Sequence, residues 1–395
     1  MMRTNNNRRL PRGQGRAKKQ GSAPGALGIY LHIPFCRQRC RYCTFLSDDE
    51  SGEKERSLYV SQLRREIAGK GGQYAEGRSV DTIFIGGGTP TVLPEHEIDD
   101  LIEAVYSKFH VAGEPEITVE ANPGTVDRQY LAALRESGVN RVSFGVQSFD
   151  EKTLERLGRI HTAAEAAGSF MAARDAGFDN INIDLIFGLP AQSAEQWDAD
   201  LREALSLRPE HISFYGLQLE EETPLYDDVM SGRLDALSDI EDRRMYHSAV
   251  EALTRGGYVH YEISNAALPG RESRHNLKYW SMDDYLGIGL GAHSYIQGRR
   301  FSNTEFLVDY IKANGSDQMV SNYYNNTRGD EMSEYIWLGL RRTDGISLSD
   351  FERKFGVDFL QLYAEETENL IGRKLLTRDG DKLRLTPLGL DLSNV

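Results

Sequence analysis

Cysteine is scarce: the 395 residues contain three. So few, and an odd number, exclude a disulfide framework. Long apolar runs are missing as well, and no stretch of about 18 residues is apolar enough to suggest a transmembrane helix. Positive charge is in deficit, with 46 Lys and Arg against 60 Asp and Glu and a net charge of −14. That balance argues against a nucleic-acid binder working through bulk charge. Core-forming material is ample, at 39% hydrophobic residues. The expectation is a soluble, cytoplasmic protein with one barrel-sized domain and a smaller one.

The basic residues are unevenly placed. Residues 1–26 hold seven of them (Arg3, Arg8, Arg9, Arg12, Arg16, Lys18 and Lys19) and no acidic residue. With hardly a large apolar side chain to bury, this stretch reads as a disordered basic tail. It lacks the apolar core of a secretory signal and the apolar face of an amphipathic transit helix. At most it would give peripheral, reversible contact with an anionic membrane.

From Gly28 onward short β-branched runs alternate with longer helical patterns, the mark of βα units and a parallel sheet. Strands are predicted at 28–33, 82–85, 117–120, 141–145, 180–187 and 211–217. Helices are predicted at 58–68, 95–109, 128–137, 163–176, 194–207 and 239–255. Gly138, Gly177 and Gly257 stand just past three of these helices, where a left-handed cap favours glycine. The fold class is α/β, a partial (β/α)6 barrel over residues 27–300. A smaller α+β domain is expected over 301–395, with helices at 330–341, 347–355 and 359–369 and a hairpin around 378–381. Helix, helix, helix, hairpin is a winged-helix-like order, read here as a packing domain. In such barrels ligands gather at the C-terminal strand ends. The unusual residues of this sequence fall there.

All three cysteines lie within eight residues, Cys36-Arg-Gln-Arg-Cys40-Arg-Tyr-Cys43, on the loop after the first strand. Thiolates suit zinc or an iron–sulfur cluster. Zinc would take His32 as its fourth ligand, and a redox pair of Cys40 and Cys43 would leave Cys36 unexplained. Three thiolates on a four-iron cluster would leave one iron open. Arg37, Arg39 and Arg41 put positive charge beside the thiols, which favours the thiolate form.

This C-x3-C-x2-C spacing, with Gly86-Gly87-Gly88-Thr89-Pro90 after the second strand, resembles the radical S-adenosylmethionine (SAM) enzymes. The string Tyr30-Leu-His32-Ile-Pro34-Phe35-Cys36 is similar to the branch of the oxygen-independent coproporphyrinogen III oxidases. The resemblance implies a [4Fe-4S] cluster on Cys36, Cys40 and Cys43, with SAM on the open iron. It implies SAM contacts from Gly87, Gly88, Thr89, Glu120, Gln147, Arg159 and Asp184, with Tyr30 and Tyr42 lining the pocket. The glycines would let backbone approach the methionyl part closely. The implied chemistry is one-electron cleavage of SAM, which calls for a low-potential electron donor.

Within that branch two readings part. The oxidases carry a further cysteine two positions after the third ligand, where this sequence has Phe45. Conversely, His275-Asn276-Leu-Lys-Tyr279-Trp280 matches the H-N-x-x-Y-W motif of the HemW-type heme chaperones. The resemblance therefore implies a heme-binding protein that delivers heme to an acceptor hemoprotein, with His275, Asn276, Tyr279 and Trp280 as heme contacts. His293 and the other histidines stay open as iron ligands. The alternative is oxidative decarboxylation of coproporphyrinogen III to protoporphyrinogen IX.

Overall fold

Six strands follow one another in parallel: β1 (Leu27–Ile33), β2 (Val80–Gly87), β3 (Val111–Ala121), β4 (Arg141–Gln147), β5 (Ile181–Phe187) and β6 (His211–Gly216). They are seen in a computed structural model that describes residues 25–393. All but the last two residues of the predicted basic tail lie outside the described residues. Alternation along the strands divides the two faces. Ile29, Leu31, Ile83, Ile85, Ile117, Val119, Val142, Phe144, Ile183 and Phe214 are buried in the core against the helices. Tyr30, Glu120, Gly145 and Asp184, at the alternate positions, face the hollow of the sheet and are only partly covered.

The helices between the strands start on polar caps. Asp127 accepts from the Tyr130 amide, and Thr162–Glu165, Ser193–Gln196 and Ser238–Glu241 form reciprocal capping boxes. Gly138, Gly177 and Gly257 close three helices at φ of +95°, +91° and +89°, as the sequence predicts.

The sheet is open and holds more strands than the six expected. β7 (Val259–Glu262) and β8 (Asn265–Ala267) add to one edge through β6. β9 (Tyr285–Ile288) joins the other edge, parallel to β1. The antiparallel strands β10 (His293–Ile296), β11 (Arg299–Asn303) and β12 (Val320–Asn325) follow it. The boundary expected at residue 300 falls inside β11. It was missed because β10 and β11 are short and joined by a tight Gln297-Gly298 turn with φ of +50° and +79°.

The C-terminal part matches the winged-helix order. Helices span Arg328–Gly339, Leu348–Phe355 and Phe359–Gly372. The strands β13 (Ile346–Ser347), β14 (Leu376–Asp379) and β15 (Lys382–Leu385) form a separate small sheet. Its core is its own, built on Met332, Phe351, Phe355, Phe359 and Leu383. This domain also bridges the two edges of the open sheet. On one side Glu334 holds Arg300 of β11 at 2.8 Å. On the other, the Ile263 amide donates to the Arg341 carbonyl and the Thr343 amide to the Tyr261 carbonyl. Between them Leu338 and Tyr335 pack on Met282 and Tyr295. The hollow of the barrel is thereby walled on its open side.

Candidate functional site

The cysteine loop leaves β1 through Pro34 and Phe35, pinned by two backbone bonds to Asp48. Cys36, Cys40 and Cys43 are free thiols, each half-buried. Two polar neighbours come from other parts of the chain, the end of β2 and the turn after the helix Glu151–Leu157. Thr89 donates to the Cys36 sulfur at 3.6 Å, and Arg159 donates to the Cys40 sulfur at 3.2 Å. The other terminal nitrogen of Arg159 donates to the Asn122 side chain and to the Gly145 carbonyl. Asn122 in turn donates to Thr89 at 2.8 Å. Ends of β2, β3 and β4 are thus tied to the cysteine loop through one polar chain.

Arg159 thus adds to the positive charge that the sequence assigned to the loop arginines, of which Arg39 also favours the Cys43 thiolate. Arg41 is engaged by Asp228 at 2.6 Å, and Arg39 donates to the Cys43 carbonyl. Burial opposes the charge of Arg159, but Tyr42 and Cys40 beside it raise its pKa, so it stays cationic. Burial also pushes the Cys36 and Cys43 thiols up. Such thiols need a metal or a cation to become thiolates.

The donor set discriminates between groups. Among the described residues no three His, Cys, Asp or Glu side chains are close enough to share one metal ion. His32, the fourth ligand zinc would need, has both ring nitrogens engaged, by the Tyr30 hydroxyl and the Leu46 carbonyl. Burial lowers its pKa to about 4. Three spread thiols with a cation on one sulfur fit a multi-iron cluster better than a single ion.

Beside the thiols the glycine turn forms a cradle. A Cβ on Gly86 would meet the Glu120 carboxylate at 2.7 Å, one on Gly87 would strike the His32 ring, and one on Gly88 would meet the Phe35 carbonyl at 2.6 Å. The glycines are thus required by the protein's own packing before any ligand approaches. Gly87 sits at φ +116° and its amide donates to Glu120 at 2.9 Å. Burial raises the Glu120 pKa to about 7, against the bond from Gly87 and with Asp184 adding to the rise. Asp184, its own pKa raised by burial, accepts from Ser143 and Asn182. Gln147 ends β4 in the left-handed region at φ +70°, a strained position for a residue with a side chain. Tyr42 packs beside Leu157 and Leu189. Sequence reasoning passed over Asn122 and Arg141, the latter 2% exposed on the inner face of β4. Asn122 stands two residues after Glu120. Nothing in the sequence singled out Arg141.

The H-N-x-x-Y-W residues lie on the helix Arg274–Ser281, whose His275 ring packs on Phe84 of β2, just before the glycine turn. His275 is fully buried, its Nδ1 bound to the Thr82 hydroxyl and its Nε2 to the Tyr279 hydroxyl. Burial, with Lys278 and Arg141 adding to it, lowers its pKa to about 3, so the ring is neutral. Both His275 nitrogens are thus held by protein groups, and offering one to a heme iron would require Thr82 or Tyr279 to give up its bond. Tyr279 meets Tyr285 edge-on at 4.6 Å. The amide of Asn276 belongs to the first turn, capped by Ser273. Trp280 lies under the Arg341 guanidinium at 4.4 Å. Of these three, Trp280 braces the junction with the C-terminal domain.

Two family models match the chain: the Radical SAM superfamily over residues 30–204 and the HemN C-terminal domain over 326–392. A heme chaperone HemW from Lactococcus lactis subsp. lactis is 36% identical, over 92% of this chain and 94% of that protein. Heme chaperone HemW of Escherichia coli is 43% identical, over 68% of this chain and 70% of its own. Mouse "radical S-adenosyl methionine domain-containing protein 1, mitochondrial" is 32% identical over 95% of this chain and 87% of that protein. Among solved structures, coproporphyrinogen III oxidase (HemN) from Escherichia coli superposes with a TM-score of 0.81 at 25% identity. That match covers 94% of this chain and 88% of the oxidase.

Proposed function

The chain belongs to the HemW heme chaperone family within the radical SAM superfamily, and on that premise we propose that it carries heme and hands it to acceptor hemoproteins. Cys36, Cys40 and Cys43 would hold a [4Fe-4S] cluster, and Gly87, Gly88, Thr89, Glu120, Gln147, Arg159 and Asp184, with Tyr30 and Tyr42, would hold SAM. When bound, the cluster and SAM supply one-electron chemistry from a low-potential donor. The chain's own residues do the rest. Arg159 places a positive charge on the Cys40 sulfur and, through Asn122, keeps the loop in register with Thr89. Gly87 fixes the Glu120 carboxylate toward the hollow. The helix Arg328–Gly339 packs on Met282 and Tyr295 at the open side through Leu338 and Tyr335. The proposed location is the cytoplasm; no described helix is long and apolar enough to cross a membrane.

The observation that carries this reading is the thiol loop, three half-buried sulfurs met by Thr89 and Arg159 from distant parts of the chain, in a chain whose HemW relatives match nearly end to end. The test is an anaerobic titration of the cluster-reconstituted protein with heme, followed by transfer to an apo-hemoprotein. Saturation near one heme per chain and its passage to the acceptor are expected. Absence of saturable binding would overturn the proposal. The likeness in fold to the oxidase supports a second reading, decarboxylation of coproporphyrinogen III. Turnover to protoporphyrinogen IX under reducing conditions with SAM would establish it.

A further inference from the structure

A heme carrier needs an iron ligand it can present, and the nine histidines of this chain can be taken one at a time. His32, His211 and His275 have both ring nitrogens occupied by protein groups. His161 is 3% exposed and bound to the Val146 carbonyl. The Nε2 of His260 meets the Ile263 carbonyl. His247 pairs with Asp391 of the C-terminal domain. His110 is exposed, but at the far end of the sheet, where its carbonyl receives the Val80 amide before β2 begins. His96 is exposed on the outer helix Glu95–Lys108, between Glu95 and Glu97.

His293 differs from all of these. It opens β10, its side chain is exposed, and no hydrogen bond engages its ring among the described residues. Alternation places it on the face of β10 that carries Tyr295, and Tyr295 packs with Met282 and Leu338 on the hollow side. Its carbonyl crosses the space that a side chain on Gly287 would fill, and Gly287 pairs with Tyr30 in β1.

The loops on either side of His293 carry apolar side chains into water. Gly291, two residues before it, has no room for a Cβ because Leu46 lies 2.6 Å away. Beside Leu46, and two residues past Cys43, Phe45 is 69% exposed. From the other side, the Gly291 amide donates to the Thr304 carbonyl and the Asn303 amide to the Ala292 carbonyl. That segment leads into Phe306, 72% exposed. Phe45 and Phe306 are thus both exposed on loops that pack against Gly291 and Ala292, the residues just before His293. Exposed aromatics and an imidazole without a protein partner among the described residues, on adjoining loops, suit a flat, apolar, iron-containing ligand.

We propose that His293 is the axial ligand of the carried heme, with Phe45 and Phe306 holding the macrocycle at the barrel rim beside the cysteine loop. This rests on the carrier reading above and assigns the site within it. A rim position leaves one face of the heme open, which suits cargo that an acceptor must collect.

The test is anaerobic titration of the full, cluster-loaded chain with hemin, reading affinity and the position of the Soret band. His293→Ala is expected to weaken binding at least about tenfold and to shift the Soret band, while added imidazole restores the band. Phe45→Ser and Phe306→Ser are expected to weaken binding with the band in place. His96→Ala should leave both unchanged, and cluster absorbance checks that each variant is folded. His293→Ala with unaltered affinity and spectrum, or a lost band that imidazole does not restore, overturns this assignment while the carrier reading stands. If the unsubstituted chain binds no hemin, the carrier reading itself falls.

Discussion

Arg159 donates to the Cys40 sulfur at 3.2 Å while its other terminal nitrogen is held by Asn122 and Gly145. The guanidinium is placed so that it cannot swing away from the thiol. A cation fixed on a cluster-bearing sulfur stabilises the more negative, reduced state.

Replacing it tests that placement. Arg159→Ala is expected to lower the midpoint potential of the reconstituted cluster by on the order of 60 mV, one tenfold change for a one-electron couple. Iron and sulfide content should hold, since all three thiols remain. A redox titration followed by electron paramagnetic resonance reads the shift. An unmoved potential would show that the contact has no electrostatic role.

Glu120 gives the site a pH dependence whose sign can be worked out. Burial raises its pKa to about 7, so it is mostly protonated at pH 6 and mostly ionised at pH 8. The ionised form accepts more strongly from Gly87, and on the proposed reading it would attract the cationic SAM. Affinity for SAM should therefore rise about tenfold from pH 6 to pH 8 and then level off, as the ionised fraction does. Glu120→Gln should bind weakly with little change over that range. Calorimetric titration at the two pH values decides it; a flat profile for the unsubstituted chain would remove Glu120 from the site.

His275 titrates in the opposite sense and bears on stability. Its folded pKa, about 3, lies far below the ordinary histidine value of 6.5. Between those values the unfolded chain takes up a proton that the folded chain refuses. Its contribution is thus present above about pH 6.5 and lost as pH falls toward 3, at about 1.4 kcal/mol per pH unit. His275→Gln should flatten the acid limb of stability against pH by roughly that slope. It should also destabilise the neutral protein by about 1–3 kcal/mol, by disturbing the bonds to Thr82 and Tyr279. Urea unfolding at several pH values measures both; an unaltered acid limb would show that the ring is not held neutral.

Much of this is legible in the sequence. The strand–helix alternation, the glycine caps and the thiol loop are local signals, each set by residues within a few positions of one another. What escaped was non-local. β9 joins β1 across some 250 residues, and the strands that extend its edge are too short to announce themselves. At the site, sequence spacing put Arg37, Arg39 and Arg41 nearest the thiols, and the fold adds Arg159 from the turn after the helix Glu151–Leu157. His275 shows the limit of motif reading. A histidine between polar neighbours on an eight-residue helix reads alike whether it faces a ligand or the Thr82 hydroxyl.

The wall over the open side of the barrel hangs on Arg341. Its guanidinium lies over Trp280 at 4.4 Å and 3.7 Å from the fully buried Glu262 carboxylate, and its carbonyl accepts from Ile263. Arg341→Ala removes the cation–π contact and leaves Glu262 without a cation, though Asn265 and the Ser264 amide still bind it. Arg341 is partly exposed, so solvent tempers the loss, and about 2–3 kcal/mol is expected. The deficit should appear at the domain junction first, since the C-terminal domain has its own core and β7 is only four residues long. Limited proteolysis should therefore cut the variant near residues 326–345 before the barrel is attacked. Arg341→Lys, which keeps the charge but not the planar stacking, should fall between the two. Cleavage of Arg341→Ala at the rate and sites of the unsubstituted chain would mean that packing of Leu338 and Tyr335 alone holds the wall in place.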